Sequence, residues 1–378
     1  MKKFIFFICI ITLYSFNLAA QSNQISHHQW SWWLSLEQGK NYFRSGSYGN
    51  ALLAFEDARR ARWQRFTRME NDLIAALSTA EFRRLGDSLD LVEEFTVLLR
   101  YDNAASALNE LYFHIPKHGL DNSVNRALDE INRLKSYPEA EFWLGETYRA
   151  EGELGLALRQ YQIAYDQRAL LEIPSFAIEI LYKMVDLHRI RQEYQEMENR
   201  ALQILRSPEW DSLWAGGTDS YGRPAMMRIL ENDGINRFLT IYRYNNAQIE
   251  RAHRFLGLYY YASARNTQAV EHLMFAFLIQ NTLLIEHVLR TQFDYTFTDL
   301  NSLMDALSRR RDLQDFLDQT EYFRTAYYFG ASLFANGRRQ TADQLWTFLA
   351  SRPEAGEWRV RSLRQLQNPF VDTAQAMP

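Results

Sequence analysis

One cysteine, eight prolines and 16 glycines are all that 378 residues supply for stapling, breaking or bending a chain. The cysteine, Cys9, lies in an apolar N-terminal stretch. Beyond it there is no thiol, which excludes disulfides, thiol catalysis and cysteine–metal sites together. Stability must come from packing. No Gly/Ser linker, proline-rich spacer or low-complexity tract follows, which favours one continuous array over separate domains. Catalytic motifs are missing as well: the chain has no H-E-x-x-H, no G-x-S-x-G and no phosphate-binding glycine loop. Histidines are few. His27 and His28 read as a surface pair rather than a metal site, while Glu271-His272 and Glu286-His287 are adjacent residues on helical stretches, so their side chains are expected to diverge. The reading is a chain without catalytic residues, cofactor or metal.

The N-terminus is basic at Lys2 and Lys3, apolar from Phe4 to Tyr14, and softens toward Ala19, Ala20 and Gln21. That is the organisation of a secretory signal, with cleavage expected after Ala20. Its apolar core is shorter than the roughly 20 residues of a transmembrane helix, so no stable membrane span is expected after cleavage. Ile8 is too large to precede a lipoprotein cysteine. Residues 1–20 contain no acid, so losing Lys2 and Lys3 takes the formal net charge from -4 to -6. A mildly acidic chain with dispersed Lys and Arg has no electrostatic footprint for nucleic acid. The dense basic run Arg309–Arg311 is followed by Asp312, Asp315 and Asp318, as on a solvated helix face.

What the chain has in quantity is aromatic residues, 14% of the total, and they recur in register. Gly39, Tyr42, Gly46, Ala51, Phe55 and Ala58 stand at separations that return in Gly145, Tyr148, Gly152, Ala157, Tyr161 and Ala164. They return again in Gly257, Tyr260, Ala264, Ala269, Leu273 and Ala276, and in Gly330, Leu333, Gly337, Ala342, Trp346 and Leu349. A weaker echo runs through Val185, His188, Gln192, Met197, Ala201 and Ile204. Steps of three and four place each half on one face of a helix. Gly46, Gly152 and Gly337 can supply the left-handed residue that ends a first helix. Because a mid-helix glycine costs about 1 kcal/mol relative to alanine, the four at the first phase imply close approach across a helical hairpin.

This pattern resembles the tetratricopeptide repeat, a helix-turn-helix unit of 34 residues. The resemblance implies an all-α, right-handed solenoid of stacked repeats, several of them degenerate, whose first helices line a concave groove. Carried over position by position, it assigns Trp33, Leu36, Lys40, Phe43 and Arg44 to the groove in the first unit. Phe142, Glu146 and Arg149 follow in the second, Arg251, Arg254, Leu258 and Tyr261 in a later one, and Arg324, Tyr327 and Phe334 in the last. Aromatics interleaved with arginine suit a protein- or peptide-binding surface. The Lys/Asn clamp by which some members hold a terminal carboxylate is absent, since Leu36 and Lys40 stand at its sites.

Units begin near Trp32, Pro138, Ile178, Glu250 and Phe323, and the intervals fit whole numbers of degraded units of about 34 residues. The expected layout is a signal over 1–20, an extension over 21–31, the solenoid over 32–356, and a capping helix with a frayed tail over 357–378. Residues 224–244 read as two helices parted by a turn at Asp233-Gly234, and 293–298 as irregular. Trp210 to Arg223 is the least helical stretch, a candidate contact loop displaying Trp210, Trp214 and Tyr221. The expected function is a periplasmic or secreted scaffold that binds protein segments in a cell-envelope assembly. A glycan-directed role is the alternative, as binding or as cleavage by two carboxylates drawn from Asp211, Asp219 and Glu231.

Overall fold

The structure, a computed structural model, describes residues 32–78, 129–207, 222–307 and 311–377. The expected signal, the extension, the loop aromatics Trp210, Trp214 and Tyr221, and the acids Asp211 and Asp219 lie outside the described residues. Among the described residues there is no strand, and the fold is a repeat-like array of helices. The chain divides into two compact units at Arg191 and Gln192.

The first unit begins with α1 (Trp32–Arg44) and α2 (Tyr48–Ser78), which pack as a hairpin. A short helical segment over 129–134 leads to a second hairpin of α3 (Pro138–Ala150) and α4 (Leu154–Asp166), and α4 packs on α5 (Phe176–Ile190). Trp32, Leu36, Phe55, Tyr137, Ala140 and Leu144 form one buried cluster across α1, α2 and α3.

The second unit runs through α6 (Tyr194–Leu205), α7 (Gly222–Ile241), α8 (Ala247–Ala262) and α9 (Asn266–Leu289). It continues with α10 (Leu300–Leu307), α11 (Arg311–Gln319), α12 (Tyr322–Ala335), α13 (Arg339–Ala350) and α14 (Glu357–Gln367). Helices α8 with α9 and α12 with α13 form hairpins, and α9 also packs on α12. Helix α9 is long and apolar enough to cross a membrane, yet 72% of its apolar window is buried against other helices of the unit. Most of its buried polar atoms find partners there, Gln280 Oε1 being an exception. Gln280 donates to Glu250 at 2.7 Å and to the Thr320 carbonyl at 2.8 Å, and Tyr322 donates to Asn281 at 3.0 Å. The turn expected inside 224–244 is present, because Gly234 breaks α7 with φ 81° and ψ 175°.

The repeating positions have a physical role in each hairpin. A Cβ on Gly39, Gly145 or Gly257 would lie 2.4–2.7 Å from the side chain of Phe55, Tyr161 or Leu273, and one on Gly330 would meet Trp346 at 2.9 Å. The close approach is thus between a glycine of the first helix and the large residue 16 positions on, joined at Gly145 and Gly257 by a backbone atom of the second helix. Gly46, Gly152 and Gly337 take φ of 76°, 85° and 80°, and Gln192 and Ala264, at the same phase, both take 58°. After four of these residues the next N–H bonds back five positions, as in Ser47 to Tyr42, Glu153 to Tyr148, Arg265 to Tyr260 and Arg338 to Leu333. That 6→1 bond satisfies a helix-end carbonyl.

Candidate functional site

In the first unit the resemblance-assigned residues separate by burial. Trp33 is 60% exposed on α1, Arg44 and Arg149 are exposed, and Lys40 and Phe43 are half-buried beside Trp143. Leu36 belongs to the core cluster. Phe142 is buried edge-on against Phe176 at 4.6 Å. Glu146 is buried too, accepting from the Tyr161 hydroxyl, from Lys183 at 3.2 Å and from Arg149 at 3.0 Å. Burial alone would raise its pKa, but the tyrosine bond and the two cations bring it below the ordinary carboxylate value. A cavity of about 330 Å³ opens in this unit between Trp63, Arg59, Arg60, Lys135 and Glu141.

In the second unit Arg254 bridges Glu250 at 3.1 Å and Glu321 at 2.9 Å, Leu258 is buried, and Phe334 packs on Trp346. Arg251 is half-buried. Glu231, offered above as a catalytic candidate, is ion-paired with Arg338. The remaining three, Tyr261, Arg324 and Tyr327, come together around a segment that the sequence reading leaves frayed.

That segment is the stretch after α14. It folds back against the unit, with Asp372 buried and Ala376 fully buried. Helix α12 presents Arg324, Tyr327 and Tyr328 from one face, α14 presents Trp358, Arg361 and Gln365, and α8 contributes Tyr261. The Tyr327 hydroxyl donates to Asp372 Oδ2 at 2.6 Å, and Arg361 donates to the same oxygen through Nη2 at 2.6 Å and Nε at 3.1 Å. Arg361 is itself stacked over Tyr327 and Trp358, each 4.9 Å away. Gln365 donates to the Tyr327 hydroxyl at 3.1 Å and accepts from the Phe370 N–H at 2.9 Å. Arg324 donates to the carbonyls of Gln375 and Met377 at 2.8 and 2.7 Å. The Ala374 carbonyl accepts from Tyr328 and, at 2.8 Å, from Arg361.

The protonation states suit this arrangement. Burial pushes Tyr328 up to about 12 and raises Tyr261 and Tyr327 as well, so all three remain neutral phenols. Arg361 loses charge stability to burial but regains more from Asp372 and the tyrosines, and its pKa ends raised. A permanently charged guanidinium therefore meets a carboxylate inside a ring of aromatic faces. Sequence reading missed Tyr328, Trp358, Arg361, Gln365 and Asp372. On α14, Arg361 is turned toward Asp372 and Gln365 is fully buried.

A second unread pair lies in the same unit. His253 and His272 meet through their Nδ1 atoms at 3.0 Å, the first buried and the second half-buried. Burial and the nearby arginines push both pKa values down, that of His272 to about 3, so both rings are neutral and one donates to the other. The available signal was their place in the α8–α9 hairpin, where His253 lies one turn before Gly257 and His272 directly precedes its partner Leu273. Among the described residues no group of three or more His, Cys, Asp or Glu side chains could hold a metal.

The chain is similar to an uncharacterized protein of Treponema pallidum (strain Nichols), 23% identical over 337 residues, which covers 88% of this chain and 89% of that protein. It is also similar to an uncharacterized protein of Borreliella burgdorferi, 20% identical over 272 residues, covering 67% of this chain and 84% of the relative. No family model matches the chain, and no solved structure matches it.

Proposed function

We propose that the chain is a non-catalytic scaffold of a cell-envelope assembly, built as a right-handed solenoid of tetratricopeptide-like repeats that takes protein segments along its first helices. The observation that carries this reading is the recurrence of one hairpin design: glycine against a large residue, then a left-handed turn residue at a fixed phase. A design repeated in register builds a surface in which the buried positions are spoken for and the first-helix positions are free to vary. On α1 those positions hold Trp33 and Arg44, both exposed, beside the half-buried Lys40 and Phe43. Export through the N-terminal signal supplies the envelope location.

The test is affinity capture from envelope extracts with the full chain and with a Trp33→Ala/Arg44→Ala variant. The wild type is expected to retain a protein partner in stoichiometric amount, and the variant to lose at least tenfold of it with an unchanged melting temperature. Equal capture by both would remove the α1 face from the reading. A second reading, glycan binding, is favoured by the 52% exposed Trp63 at the 330 Å³ cavity with its arginines and acids. Retention of cell-wall fragments alone, lost on Trp63→Ala, would put it first.

A further inference from the structure

Residues 369–377 are held differently from a folded element. Of this stretch only Asp372 and Ala376 are buried, while Phe370, Val371, Thr373, Ala374, Gln375 and Met377 are exposed. One further side chain is gripped, Gln375 Oε1 accepting from Arg361 Nη1 at 3.2 Å, and the other contacts read main chain. Arg324 binds two carbonyls, Tyr328 and Arg361 bind a third, and Gln365 binds an N–H. The stretch turns after Asp372, with the Ala376 N–H bonded to the Thr373 carbonyl at 3.1 Å and Gln375 at φ 60°. Main-chain contacts suit peptide binding because any sequence offers the backbone and only the pocketed positions select. The selective positions here are a carboxylate clamped by Arg361 and Tyr327 and, four residues on, a side chain no larger than the fully buried Ala376.

We propose that this site binds an aspartate-bearing segment of a partner protein, of the form Asp-x-x-x-Ala with a turn after the aspartate, and that residues 369–377 are its resident competitor. The inference rests on the first-helix face being a peptide surface, since Arg324 and Tyr327 are among the positions assigned to it. The partner's chemistry follows from the clamp: the Arg361 guanidinium and the Tyr327 phenol take one carboxylate, while Arg324 and Tyr328 take carbonyls. A tethered competitor acts at an effective concentration of about 1 mM, so the partner segment must either bind far below that or be presented when the tether is released. Helix α14 links the two events, because Arg361 and Gln365 both contact the tail and the rings behind it.

The probe is a labelled peptide with the sequence of residues 369–377, added to the full chain. Asp372→Lys, which sets a cation against Arg361, should expel the tail and raise peptide affinity at least tenfold over wild type. Asp372→Asn, the milder substitution for use if the first does not fold, should raise it several-fold. A peptide with Asn in place of its Asp should not bind, and Arg361→Gln should abolish binding in either background. Hydrogen exchange at 370–376 reports release of the tail. A released tail without gain in peptide binding overturns the proposal, and so does a tail that stays protected in both variants. Sedimentation of the wild type as a dimer with exchanged tails would make a second copy the occupant and would equally overturn it. None of these failures touches capture through Trp33 and Arg44, so the scaffold reading stands or falls separately.

Discussion

Gly145 carries no side chain where a Cβ would lie 2.7 Å from the Tyr161 ring, whereas Ala264 carries one at φ 58°, in the left-handed region. The same methyl group therefore acts in opposite directions at two phases of one pattern. Gly145→Ala is expected to overpack the hairpin and cost about 1–3 kcal/mol. Ala264→Gly is expected to relieve backbone strain and stabilise by about 0.5–1 kcal/mol. Urea denaturation of both variants checks the pair, and a shift of the same sign in both would contradict the assignment. These residues were legible because hairpin sterics are local: the glycine and its large partner lie 16 positions apart and recur four times. Asp372 was not legible. Its partner Tyr327 is 45 residues away, and no period connects a single acid to an arginine on a helix between them.

At the scale of elements, the helices and their turns follow from amphipathic spacing and turn residues. The terminal helix occupies Glu357–Gln367 as the sequence pattern predicts, and the break at Gly234 falls where Asp233-Gly234 marks it. Pairing between elements is another matter, and His253 with His272 is the case in point. Each histidine alone reads as a surface or core residue, and only the α8–α9 hairpin brings the imidazoles together. The pairing carries a pH signature. Both folded pKa values lie below the ordinary value of 6.5, so between about 3 and 6.5 the unfolded chain binds protons that the folded chain does not, and stability present above pH 6.5 is lost as pH falls. Moving from pH 7.5 to 5.5 should cost about 1 kcal/mol for each such histidine. The variant His253→Phe/His272→Leu should show a flatter profile over that window in chemical denaturation. An unchanged slope would mean that other groups carry the acid sensitivity.

For the whole molecule, composition spoke to class and was silent on partner. The scarcity of cysteine, glycine and proline pointed to a packed helical array, and the described residues form helices in two compact units. The candidate contact positions were less legible, because a surface position is free to vary and leaves no period of its own. Export is testable directly: mass spectrometry of the protein recovered from the envelope fraction should give a mature N-terminus at Gln21, and a retained Met1 would rule out cleavage. Helix α9 has a consequence of another kind. It is 24 residues long and packs on α7, α8, α10 and α12, with the buried polar residues Gln280, Asn281 and Thr282 in its second half. Inserting one residue near its start would rotate every later side chain by about 100° and take those polar groups away from their partners together. The left-handed turns, by contrast, sit at exposed helix ends where added length has room. Over evolutionary time this unit can change α9 only by substitution, and its tolerance for gained or lost residues must lie in the turns.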